Sequence, residues 1–116
     1  MAVGGIGIDV VSLSRAERCL ADAFRSRVFT EREIDYAESR ERPVAQYAMI
    51  FAGKEAAFKA LGTGWTDGHL VEVIHDDRGQ PRAVVHDPSR SDVTLYLSLA
   101  YEGDYAFAIA LLGHCE

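Results

Sequence analysis

Two periods of apolar residues divide the chain. From Val3 to Val11 the alternation is that of a strand, with Ile6, Ile8 and Val10 pointing one way and Gly5, Gly7, Asp9 and Val11 the other. The pattern then turns helical. Ser14 with Glu17 has capping-box spacing and predicts a helix of about ten residues; Thr30 with Glu33 predicts another, ending near Ser39. A longer helix runs from Pro43, suited to a first turn, to Gly62 and Gly64, which can stop it. Beyond it the chain is β-rich. Leu70 to His75 and Arg82 to His86 flank the turn Asp76-Asp77-Arg78-Gly79-Gln80-Pro81, which makes a hairpin. Asp87 to Ser91 breaks the chain. Val93, Leu95, Leu97, Leu99 and Tyr101 then alternate with Thr94, Tyr96, Ser98 and Ala100, and Glu102-Gly103-Asp104 turns into an apolar last strand, Tyr105 to Leu112. The order β-α-α-α-β-β-β-β predicts one α+β domain over residues 1–116, a long central helix packed on a largely antiparallel sheet.

The chemistry gathers on the long helix. At about 100° per residue, Val44, Tyr47, Ala48, Phe51, Phe58 and Leu61 share one side. Glu55 and Lys54 fall inside that arc and Lys59 lies at its border. The remaining faces are mostly alanine and glycine, so the helix is expected to be buried. A carboxylate on a packing side must find a partner. Periodicity leaves two readings of Glu55: an i,i+4 pair with Lys59, or a metal or phosphate site. Asp9 is similarly open. Its face carries Gly5 and Gly7, which either leave room for a ligand or accommodate packing, with Asp9 capping a turn.

Composition narrows the classes. A net charge of −6 over 116 residues argues against a general nucleic-acid binder. No apolar run reaches a membrane span and no secretory signal is visible. Cys19 and Cys115 make neither a metal spacing nor a disulfide framework, which suggests a reducing cytoplasm. His69, His75, His86 and His114 share no metal spacing, and Trp65 reads as a core or interface aromatic. Arg15, Arg18 and Arg25 would lie within a quarter-turn of the first helix, a docking surface for an acidic partner or an ordinary solvated face.

Gly5-Ile6-Gly7-Ile8-Asp9-Val10, followed by Phe51-Ala-Gly-Lys54-Glu55-Ala-Ala-Phe58-Lys59-Ala-Leu61-Gly62-Thr63-Gly64, resembles the two motifs of the small holo-acyl-carrier-protein synthases. Phe29-Thr30-Glu31-Arg32-Glu33 and Asp77-Arg78-Gly79-Gln80-Pro81 resemble connecting segments of the same family. The resemblance implies Mg²⁺-dependent transfer of 4′-phosphopantetheine from coenzyme A to a serine of an acyl carrier protein of fatty-acid or polyketide synthesis, releasing adenosine 3′,5′-bisphosphate. It implies that Asp9 and Glu55 hold the magnesium, that Lys59, supported by Lys54, neutralises the pyrophosphate, and that Gly62, Gly64, Gly79, Pro81 and Ser98 contribute to coenzyme A binding. It also implies carrier docking on Arg15, with Arg18 and Arg25 beside it, and a homotrimer with coenzyme A between subunits.

Three positions depart from the family pattern. Ile50 stands where an arginine is common, and Ser98-Leu99-Ala100-Tyr101 replaces a Ser-x-Ser-His. The segment Asp87 to Ser91 is too short for the family's usual helix. These departures motivate two alternatives: a homologue that binds carrier protein or coenzyme A without turnover, or an enzyme repurposed for carrier-bound acyl chains.

Overall fold

The computed structural model describes residues 2–114; Cys115 lies outside them. Strand β1 (Ala2–Ser12) is followed by four helices, α1 (Leu13–Cys19), α2 (Asp22–Val28), α3 (Glu31–Ser39) and α4 (Pro43–Leu61). Strands β2 (Val71–His75), β3 (Pro81–Val85), β4 (Val93–Glu102) and β5 (Tyr105–His114) complete the chain. All strands pair antiparallel, in the order β1-β5-β4-β3-β2. The α+β layering expected from the apolar pattern is present. No helix among the described residues is long and apolar enough to cross a membrane.

Helix α4 lies on the sheet unusually closely because both surfaces are made of small residues. Gly5, Gly7, Ala108 and Ala110 on the sheet meet Ala52, Ala56 and Ala60 on the helix. A Cβ at Gly5 would stand 2.0 Å from the carbonyl oxygen of Ala60, and one at Gly7 1.9 Å from that of Ala56. These glycines therefore serve packing first. Asp9 follows on the same face, paired across the ladder with Ala108, where it emerges beside the helix. Gly62, at φ 78°, ends α4 in the left-handed region that a glycine adopts without strain.

The first helical segment corrects the sequence reading. The expected single helix is two, with a break at Leu20 and Ala21. Ser12, rather than Ser14, caps α1 by accepting from the backbone N–H of Arg15 at 3.3 Å. The break lets Leu13 and Ala16 pack against Ala45 and Ala48 of α4, while Phe24 and Val28 serve a second cluster around Phe29 and Ile50. The Thr30–Glu33 capping box is formed as expected. Between β3 and β4 a single 3₁₀ turn, Pro88–Arg90, fits in the segment that is too short for a full helix, with Asp87 as its cap.

Among the described residues, nothing covers the other face of the sheet. Ile6, Ile8 and Val10 of β1 stand beside Phe107 and Ile109 of β5, all exposed, with Ile8 67% accessible. Ser98 and Ala100 of β4 continue the same rows.

Candidate active site

A cleft of about 460 Å³ opens where β1 passes into α1 and faces the middle of α4. Asp9, Ser12, Arg15 and Glu55 make its polar wall; Leu20, Phe24, Phe29, Tyr47 and Phe51 make its apolar one. Strand β1 delivers Asp9 because alternation turns it toward α4. Helix α4 delivers Glu55 one turn after Phe51, so acid and aromatic line the same groove.

Lys59, one further turn along, closes the group. Its Nζ donates to the carbonyl of Ile8 at 2.8 Å and to Asp9 Oδ1 at 3.2 Å. The i,i+4 reading of Glu55 therefore gives way to a bridge from α4 to β1. Burial pushes the Glu55 carboxyl above its ordinary range; the neighbouring Asp9 charge adds to this, and Lys59 offsets part of it. Two carboxylates thus face one cleft with a single lysine between their elements. Such an oxygen-only pair suits a hard cation that draws its remaining ligands from phosphate and water. Two carboxylates are too few for a closed protein site, and no group of three potential metal-ligating side chains occurs among the described residues.

Lys54 sits elsewhere. It is 0% exposed and donates to Glu33 Oε1 at 2.5 Å and to the carbonyl of Val28 at 2.7 Å. Its ammonium is taken up by these two partners and Lys54 is not among the cleft-lining residues, so the structure shows it as a tie within the core. Arg25 is also engaged. It donates to the Leu20 carbonyl and Asp22, pairs with Glu38 and lies over the Tyr47 ring. Because the helix breaks at Leu20, Arg25 does not share an arc with Arg15 and Arg18, which remain exposed on α1.

The remaining expected positions are distributed over the molecule. Gly62 and Gly64 follow α4, both at positive φ. Gly79 lies in the β2–β3 turn and Pro81 opens β3, toward the sheet edge opposite β1. Ser98 faces the open side of the sheet, away from Asp9 and Glu55. Ile50 is fully buried, and Arg42 lies over the Tyr101 ring, 5.5 Å from its centre. Trp65 packs on Phe51 and Phe58, a core role. The apolar wall escaped the sequence reading because its aromatics are individually indistinguishable from core; only their adjacency to Glu55, through Phe51, hinted at a groove.

Residues 5–110 match the family described as the 4′-phosphopantetheinyl transferase superfamily. A holo-[acyl-carrier-protein] synthase of Geobacter sulfurreducens is 35% identical, over 93% of this chain and 95% of its own length. One of Moorella thermoacetica is 37% identical, over 91% of each. Among solved structures, the Bacillus anthracis synthase in complex with CoA (3′,5′-ADP) superposes with a TM-score of 0.83 at 35% identity, covering 95% of this chain and 96% of that one. The Neisseria meningitidis synthase does so at 0.86 and 30%, covering 97% and 99%. The matched span includes Asp9, Glu55 and Lys59 together with every strand that positions them, and on that ground the chain belongs to the 4′-phosphopantetheinyl transferase superfamily, among the small holo-acyl-carrier-protein synthases.

Proposed function

We propose that Asp9, Glu55 and Lys59 carry the transfer of 4′-phosphopantetheine from coenzyme A to a serine of an acyl carrier protein. The chain is an enzyme of this reaction, and coenzyme A is its co-substrate. The observation that carries the assignment is that Asp9 of β1 and Glu55 of α4 line one cleft while Lys59 of α4 pairs with Asp9. Asp9 and Glu55 would hold a magnesium ion. When bound, such an ion neutralises pyrophosphate oxygens and orients the phosphorus for in-line attack. Lys59 places an ammonium beside the same carboxylates, able to balance charge that develops on the leaving group. Phosphoryl transfer draws most of its rate from positioning and charge stabilisation, which a fixed carboxylate–lysine group supplies.

Arg15, on the cleft wall, and Arg18, on the same helix, present cations to an acidic carrier. The open apolar sheet face supports assembly of subunits, which we read as a homotrimer. Ser98 lies on that face, and Gly79 and Pro81 lie toward the far edge of the sheet, so they would serve a coenzyme A shared with a neighbouring subunit. Gly62 and Gly64 lie beyond the Lys59 end of α4. We read the reaction as cytoplasmic.

The test is direct. Enzyme, coenzyme A, Mg²⁺ and an apo carrier protein are incubated and the carrier is weighed. The expected outcome is a phosphopantetheine mass gain that chelation of the metal or Glu55→Gln abolishes. Unchanged turnover in Glu55→Gln would remove the assignment.

A further inference from the structure

The turn between β4 and β5 reaches the joint where β1 becomes α1, and one residue makes the connection. Asp104 Oδ1 accepts from the backbone N–H of Ser14 at 3.0 Å. Its Oδ2 accepts from the hydroxyls of Ser12 at 3.0 Å and Ser14 at 2.9 Å. Its own carbonyl accepts from the N–H of Leu13 at 2.7 Å. Three consecutive residues are thus held by one carboxylate and one carbonyl from the far end of the sequence. The Ser14 and Ser12 hydroxyls hold the Asp104 carboxyl below the ordinary range.

The hydrogen-bond directions matter. A serine hydroxyl has one proton and two lone pairs. With its proton given to Asp104, Ser12 Oγ turns a lone pair toward the N–H of Arg15, the contact that caps α1. Asp104 therefore orients the cap as well as gripping the joint. That joint separates two parts of the cleft wall, Asp9 before it and Arg15 after it.

We propose that Asp104 is a positioning residue: it fixes the angle at which α1 leaves β1, and hence the span between Arg15 and the Asp9–Glu55 pair that one carrier protein must bridge. The proposal rests on the reading that Arg15 docks the carrier. Helix α1 is only seven residues long; Leu13 and Ala16 seat it on α4, and the Asp104 contacts fix its first turn where it leaves β1.

Steady-state kinetics with an apo carrier protein test it in five proteins: wild type, Asp104→Ala, Asp104→Asn, Arg15→Ala and the Arg15→Ala/Asp104→Ala double variant. Hydrogen bonds to a charged group are strong enough that Asp104→Ala should raise the carrier KM roughly tenfold. Turnover at saturating carrier and the KM for coenzyme A should be unchanged, the signature of lost docking with the chemistry intact. Asp104→Asn, which keeps an acceptor for the Ser14 N–H, should fall between the two. In the Arg15→Ala background Asp104→Ala should add little, because both act on one contact. Amide exchange across Leu13–Cys19 should quicken in Asp104→Ala.

Several outcomes overturn the proposal: an unchanged carrier KM, multiplicative effects in the double variant, unaltered exchange in α1, or a fall in turnover equal to the rise in KM. If Arg15→Ala raises the carrier KM and Asp104→Ala does not, only the role of Asp104 fails. If Arg15→Ala leaves it unchanged, the docking reading fails first and the role of Asp104 falls with it.

Discussion

At the scale of single residues, Glu55 sets the pH dependence. Its carboxyl titrates above its ordinary value of 4.5, chiefly through burial and then through Asp9. The folded chain therefore holds this proton more tightly than the unfolded chain does. The contribution to stability is fully present below 4.5 and is lost as pH rises through the folded value. A cation in the cleft competes with the same proton, so Mg²⁺ affinity should climb through the raised Glu55 value and level off above it. Calorimetric titration of Mg²⁺ in the presence of coenzyme A, at a series of pH values, should trace that rise; a flat profile would count against the assignment. Gly7 offers a steric test. An added Cβ meets the backbone oxygen of Ala56, which cannot rotate away, so α4 must lift. Gly7→Ala should cost roughly 1–3 kcal/mol in urea unfolding, the scale of overpacking. It should also lower turnover by more than that loss of folded protein explains, because α4 carries Glu55. The faces that carry Asp9 and Glu55 were legible from period, but period left the role of each open, and only the family resemblance grouped them with Lys59. The tie made by Lys54 was not legible, because its partner Glu33 comes from another helix and no periodicity links the two.

Among elements, α4 is the organiser and the Glu33–Lys54 pair is its tie to the rest. Glu33 accepts from Lys54, from the N–H of Thr30 and from the N–H of Val73, joining α4, the start of α3 and strand β2. Burial pushes Glu33 up and Lys54 down, and their mutual attraction opposes both shifts. Removing one partner from such a pair leaves the other without compensation and costs about 3–5 kcal/mol, whereas replacing both by residues of similar shape is often neutral. Lys54→Met should therefore destabilise strongly, and Glu33→Gln combined with Lys54→Met should recover most of the loss, as read from urea midpoints at fixed protein concentration. Equal destabilisation by the single and double variants would show that the pair is no unit. The long strands were readable from alternation, and α4 from an apolar run between Pro43 and Gly62 that is buried on nearly every side. The division of α1 from α2 was not. It follows from Leu13 and Phe24 serving separate clusters, a tertiary demand that overrides local helical propensity.

For the whole molecule, the unmatched feature is the sheet face opposite α4. Rows such as Ile8 beside Ile109 and Val10 beside Phe107 form a contiguous apolar surface, not scattered exposure. Surfaces of this kind mark association sites. A chain whose single core must support a five-stranded sheet with one bare side gains from covering that side with its own copies. The same face carries Ser98, so assembly and ligand binding would be coupled through it. Ile8→Asp places a carboxylate within the apolar patch on the edge strand β1 while leaving the α4 side untouched, because Ile8 points away from the helix. Sedimentation should then show a shift from the assembled species toward monomer. If the proposed assembly completes the site, transfer activity should fall in parallel and recover as protein concentration rises. A variant that sediments as wild type, or a monomer with full activity at all concentrations, would sever the link between assembly and catalysis.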